Sequence, residues 1–162
     1  MFDFMIAPSV TVAAICAGLM AGVYFAFSTF IMRSLDQLGA APAADAMNAI
    51  NEVILRSWFV VLFFGSTVLY AALAVVAVFD ADLAGRWLLL GTGLIYVVGM
   101  FVCTAMFNVP LNNQLADAGN DSNRKAVTWT HYVKHWTRWN HLRGVCSLAA
   151  LVLSIHYLVR YT

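Results

Sequence analysis

The chain has 162 residues, 62% of them hydrophobic and only 10% charged, with a net charge of +1 and a mean hydropathy of +0.80. A soluble domain carries about 25% charged residues, so the composition excludes an ordinary soluble globule, and the near-neutral charge offers nothing to nucleic acid. Apolar runs of membrane-spanning length predict an all-α integral membrane protein: one domain, residues 1–162, with the lipid bilayer as its surroundings.

The amino terminus, MFDFM, has no basic residue and carries Asp3, which argues against a cleaved signal peptide. The first helix is expected at about residues 7–32. Ala14, Gly18 and Gly22 recur every four residues there, the spacing that lets another membrane helix approach closely. Tyr24 and Ser28 follow one turn apart, as interhelical glue or as the lining of a pocket. Residues 33–44 form a break containing Gly39 and Pro42. Polar residues then return at helical spacing: Asn48, Asn51, Glu52 and Arg56. Glu52 and Arg56 stand in the favourable order for a solvated pair; a Glu52 buried at the membrane boundary would instead be functional.

A second helix is expected at about 54–79, followed by a turn at Asp80 to Gly85, and a third at about 86–107, with Gly91, Gly93 and Gly99 as packing sites. Pro110 lacks an amide hydrogen, so the helix is expected to kink or end beside it, with Asn108, Asn112 and Asn113 near the freed backbone groups. Gly119, Asn120, Asp121 and Ser122 signal a loop, with Asp121 or Ser122 capping the next helix. An amphipathic segment, about 123–143, precedes a fourth helix at about 144–161. The fold class is therefore a four-transmembrane-helix bundle with an amphipathic segment before the fourth helix.

That segment is the most informative part of the chain. Trp129, Tyr132, Trp136, Asn140, Arg143 and Ser147 are spaced 3, 4, 4, 3 and 4, so on a helix they share one face. Tyr132 and Trp136 supply flat apolar walls, Asn140 both donates and accepts, and Arg143 either snorkels to headgroups or holds an anionic oxygen. This stripe suits a planar aromatic or quinone-like ligand. His131 and His135 lie on another face; their spacing is compatible with a metal, but interfacial imidazoles are the plainer reading, and no metal is expected. The three cysteines, Cys16, Cys103 and Cys146, all fall in apolar runs and read as small buried hydrophobes.

The basic residues are asymmetric. Arg33, Arg56, Arg124, Lys125, Lys134, Arg138 and Arg143 fall on one side, Arg86 and Arg160 on the other. The positive-inside rule then puts both termini outside and residues 33–53 and 108–143 in the cytoplasm. No Asp, Glu, Lys or Arg falls in the middle of the four helices, which weakens a transport reading.

Gly18-Leu-Met-Ala-Gly-Val-Tyr-Phe-Ala-Phe-Ser28, Ala49-Ile-Asn51, Asn108-Val-Pro-Leu-Asn-Asn-Gln-Leu115 and Trp136-Thr-Arg-Trp-Asn-His-Leu-Arg143 carry a resemblance over nearly the whole chain. It resembles the anthrone-oxygenase-like family of small four-helix membrane proteins, and more closely its bacterial members, which implies a bacterial cytoplasmic membrane. The resemblance implies oxidation of anthrones to anthraquinones by dioxygen without a cofactor, and carries over no catalytic residue. On that reading Arg143 and Asn140 hold an oxyanion, assisted by Asn108 or Asn112. The base is Glu52 or one of His131, His135 and His141. Trp136, Tyr132, Asn51 and Tyr24 complete the binding wall. The alternative is a non-enzymatic membrane subunit or binder of a quinone- or lipid-like molecule. Homo-oligomers are compatible with the Gly-rich faces.

Overall fold

The computed structural model describes residues 3–119 and 121–162, with side chains from Met5 onward; Asn120 of the expected loop and the first two residues lie outside the described part. The described residues form five helices and no strand. Helix α1 runs Asp3–Ala26 and continues through a π-helical turn, Phe27–Ile31, into Met32–Asp36; α2 is Ala40–Ile54; α3 is Trp58–Phe79. Helix α4 runs Arg86–Tyr96, passes through two π-helical stretches, Val97–Val102 and Thr104–Asn108, and ends with Val109–Ala116; α5 is Ser122–Tyr161. Helices α1, α3, α4 and α5 are long and apolar enough to cross a membrane. Their outward side chains include Phe25, Phe64, Val98 and Val152, the apolar exterior that lipid requires and water would penalise.

Three features depart from the sequence expectations. The amphipathic segment and the fourth helix are one continuous helix of 40 residues, about 60 Å long. That is about twice the hydrocarbon thickness of a bilayer, longer than one crossing requires, and the charged residues other than Arg143 and Arg160 fall in its amino-terminal half. Nothing between residues 123 and 161 breaks a helix, and Asp121 caps it, accepting from the amides of Asn123 at 2.9 Å and Arg124 at 3.1 Å. Helix α4 does not stop at Pro110. The preceding residues widen into a π-helix, whose shifted hydrogen bonding absorbs the missing donor, and Pro110 stands in the first turn of the α-helical end, where no donor is needed. Finally, the expected break at 33–44 shrinks to Gln37–Gly39. Gly39, with φ 85°, makes the turn, and α2 begins at once, with Pro42 tolerated in its first turn.

Helix α1 packs along α5, α3 against α4, and α4 against α5. Close approach at α3–α4 rests on Gly93: a Cβ there would lie 2.7 Å from the carbonyl oxygen of Tyr70. Gly99 likewise admits the Cys146 side chain. Gly91 and Gly22 meet nothing within 4 Å and are not packing sites within this chain. The apolar core divides in two. One cluster, including Met20, Phe63, Tyr70 and Tyr96, lies between the long helices; the other, including Met32, Met47, Leu115, Trp129 and Trp136, lies beneath α2. The space between these clusters is the candidate site.

Candidate functional site

The helical phase of α5 positions the site. Trp129, Tyr132, Trp136, Asn140, Arg143 and Ser147 are all buried along one face. Trp129 Nε1 donates to Asp36 Oδ1 at 2.8 Å and Tyr132 Oη donates to Asn112 Oδ1 at 2.8 Å, which tie α5 to the ends of α1 and α4. Deeper in the bundle, Asn140 Nδ2 donates to the carbonyl of Tyr24 and to Ser28 Oγ, both at 2.7 Å. The Tyr24 carbonyl lies just before the π-turn of α1, where the helical hydrogen-bond register changes and a carbonyl becomes free to accept from elsewhere.

These residues surround a cavity of about 200 Å³. Its walls are Tyr24 and Phe27 of α1, Met47 and Asn51 of α2, Phe59 and Phe63 of α3, Thr104, Asn108 and Asn112 of α4, and Trp136, Asn140 and Arg143 of α5. An apolar cavity of about 150 Å³ admits benzene, while drug-sized sites begin near 300 Å³. The space therefore suits a small fused-ring molecule, or one end of a longer one. Leu55, Phe64 and Val109 also line it and are exposed on the apolar flank of the bundle, so the mouth faces the side where lipid tails would lie.

Arg143 dominates the electrostatics. It is 5% exposed, and among the described residues no carboxylate lies within ion-pair distance of it. Its guanidinium donates to Asn140 Oδ1 at 2.8 Å and to Thr104 Oγ1 at 3.3 Å. It sits over the rings of Tyr24 and Trp136, 4.5 and 5.2 Å from their centroids. Cation–π contacts supply roughly 0.5–2 kcal/mol each, less than a buried guanidinium loses in hydration. Further polar atoms at the cavity are buried and make no hydrogen bond: Arg143 Nε, Trp136 Nε1 and Asn108 Oδ1. Tyr24 Oη and Asn51 Nδ2 make no well-formed bond either, although Arg143 and Thr104 stand near the first and Tyr132 near the second. Native interiors hold few such groups, since each costs about 1–3 kcal/mol. Here they cluster on one cavity: two nitrogen–hydrogen donors and a carbonyl acceptor, with an uncompensated cation.

The structure thus brings together Tyr24, Asn51, Asn108, Asn112, Trp136, Asn140 and Arg143, with Tyr132 one hydrogen bond behind Asn112. It does not bring in the residues expected as bases. Glu52 follows Asn51 on α2 and points to the exposed side, because a one-residue step turns a helical side chain by about 100°. It forms no pair with Arg56, since α2 ends at Ile54 between them. His131 and His135 stack on each other at 4.2 Å on the outer face of α5, and His141 is exposed. Among the described residues no three His, Cys, Asp or Glu groups gather as metal ligands. The aromatic wall from Phe27, Phe59 and Phe63 escaped sequence reading, because an apolar residue in an apolar helix carries no mark. Thr104 was equally silent as a partner of Arg143, whereas Ser28, expected as interhelical glue, serves as one by accepting from Asn140.

The family model described as anthrone oxygenase matches residues 55–153, a stretch that holds α3, α4 and the site-bearing part of α5. No curated protein and no solved structure matches the chain significantly. The chain belongs to the anthrone oxygenase family.

Proposed function

We propose that the cavity binds a planar phenolic substrate of the anthrone type and promotes its oxidation by dioxygen. The observation that carries this reading is Arg143, a buried cation without a carboxylate, at the end of an apolar slot. An oxyanion on a flat aromatic body would fill that slot, meet the guanidinium and reach Trp136 Nε1, while Asn108 Oδ1 would take a phenolic hydroxyl. Donors already held in a dry site stabilise developing charge without reorganisation.

The base in this scheme is Tyr24 rather than Glu52 or a histidine. Its hydroxyl is the titratable group nearest Arg143 on the cavity wall. Acting as the phenolate, it takes a proton from the ring methylene. The resting hydroxyl is neutral, so its proton first leaves for solvent; the negative charge then formed beside Arg143 moves to the substrate oxygen as the methylene proton is taken. The enolate gives one electron to dioxygen. The radical pair combines through a carbon–oxygen bond, and the Tyr24 proton passes to the peroxide anion. Loss of water leaves the second carbonyl: one anthrone and one dioxygen give one anthraquinone and one water.

In this reading all four long helices span the bilayer. Both termini lie outside, and the α2 end of the bundle, with Arg33, Arg124, Lys134 and Arg138, faces the cytoplasm. The substrate partitions into the lipid and enters past Leu55, Phe64 and Val109.

The test is oxygen uptake by purified protein supplied with an anthrone. Uptake should exceed that of protein-free micelles and fall at least a hundredfold in Arg143→Ala. Uptake equal to that of empty micelles overturns the proposal. A second reading, a non-enzymatic quinone binder, is favoured by the absence of any carboxylate or imidazole from the cavity wall among the described residues. It predicts quinone binding that Arg143→Ala abolishes, with no anthrone-dependent oxygen uptake.

A further inference from the structure

A second feature lies outside the cavity, on the opposite flank of α5. There α1 and α5 leave a groove in two adjoining parts. Its apolar half is lined by Gly18, Gly22, Phe25, Gly144, Leu148 and Leu151. Its other half is lined by Arg33, Asp36, Lys134, Thr137 and Arg138. Ser28 and His141 line both halves, so the two adjoin at these residues.

The dimensions and the charges point to the same occupant. From His141 to Leu151 the helix rises about 15 Å, half of the ~30 Å hydrocarbon core and hence one leaflet. From Lys134 to His141 it rises about 10 Å, somewhat more than the headgroup layer of ~6 Å per side that remains of a 40–45 Å bilayer. Apolar and basic halves are therefore proportioned as the tail and head of one lipid. No acid pairs with Arg33, Lys134 or Arg138 among the described residues. The one acid in the basic half, Asp36, has Oδ1 engaged by Trp129 Nε1. Arg138 rests 5.8 Å from the centroid of Trp139, and the buried Thr137 Oγ1 has no partner. Ser28 Oγ accepts from Asn140, which leaves its hydrogen free to donate. The apolar half is smooth because Gly22 carries no side chain into open space.

We propose that this groove is a binding site for one anionic phospholipid, its phosphate held by Arg33, Lys134 and Arg138 and an acyl chain laid over Gly22 and Gly144. Basic pockets between membrane helices hold anionic headgroups in this way, each cation near the surface contributing about 1 kcal/mol. The site shares no lining residue with the cavity of Arg143, and Ser28 links the two through Asn140.

The test is native mass spectrometry of delipidated protein in mild detergent, titrated separately with phosphatidylglycerol, phosphatidylcholine and glycerol phosphate. The expected result is one phosphatidylglycerol bound at least tenfold more tightly than phosphatidylcholine, and no comparable binding of glycerol phosphate. Combining Arg33→Gln, Lys134→Gln and Arg138→Gln, all exposed positions, should remove the preference. Gly22→Leu, which fills the groove at a position with free space, should weaken phosphatidylglycerol at least fivefold without changing melting temperature. Arg160→Gln, at the other end of the bundle, should change nothing. Equal affinity for the two lipids, glycerol phosphate binding as tightly as phosphatidylglycerol, or binding unaffected by both sets of substitutions overturns the proposal.

Discussion

Arg143 donates to the side-chain oxygen of Asn140 one turn back on the same helix, at 2.8 Å, and Asn140 in turn donates to the carbonyl of Tyr24. A buried cation is thus fixed in position by a neutral amide instead of a carboxylate. A carboxylate there would quench the charge. The amide orients it and leaves it available to whatever occupies the cavity.

Arg143→Met should therefore separate stability from function. Exchanging buried ionic groups for apolar ones of similar volume is commonly neutral or stabilising by roughly 1–4 kcal/mol. This guanidinium has no ion partner to lose, and relief of its burial offsets the ~1–3 kcal/mol of leaving Asn140 Oδ1 unpaired, so Arg143→Met should melt within a few degrees of the parent in the same detergent. Its anthrone-dependent oxygen uptake and ligand affinity should disappear. A large fall in melting temperature would show that Arg143 serves the fold.

Asn140→Ala should behave oppositely. It strands the Tyr24 carbonyl and frees one side of the guanidinium, each loss worth about 1–3 kcal/mol. Its melting temperature should fall by several degrees. Ser28→Ala, which removes only one of the partners of Asn140, should cost about 1 kcal/mol.

The base assignment has its own contrast. Tyr24→Phe keeps the ring under Arg143 and deletes only the hydroxyl, so it should lower kcat at least a hundredfold, within the ~10²–10⁴ range of acid–base contributions. Glu52→Gln, His135→Asn and the pair His131→Asn with His141→Asn should each stay within twofold of the parent. A strong effect at Glu52 or at a histidine, with Tyr24→Phe fully active, returns the proton to the outer face.

The division between legible and illegible residues has a physical basis. A polar side chain in an apolar helix costs free energy unless it is used, so Asn140, Arg143, Asn108 and Tyr24 stand out in a single sequence. Helical phase then groups those on α5 without knowledge of the fold. Phase could not show which element each face meets. Asn51 and Asn108, 57 residues apart in the chain, share a cavity only because α2 folds back over the bundle end. The continuity of α4 past Pro110 depends on a π-helix, which no local propensity announces. Likewise, no motif or spacing sets Asp45 apart, and its pairing with Lys125 appears only when α5 folds against α2.

That last pair yields the remaining prediction. Lys125 is buried at 8% side-chain exposure, while its partner Asp45 is 61% exposed; together they clasp the amino-terminal half of α2 to the amino-terminal end of α5. Breaking a fully buried pair costs about 3–5 kcal/mol, and solvent at Asp45 reduces that to roughly 1–2 kcal/mol. Asp45→Asn should therefore leave the membrane bundle intact while loosening its cover. Hydrogen exchange should accelerate across Ala40–Ile54 and remain unchanged in α3 and the membrane half of α5, because local opening draws on local contacts. The cavity, roofed by Met47 and Asn51 of that helix, should exchange ligand faster, seen as a higher dissociation rate for a bound quinone. Uniform acceleration over all five helices would mean that the clasp stabilises the whole fold rather than the cover.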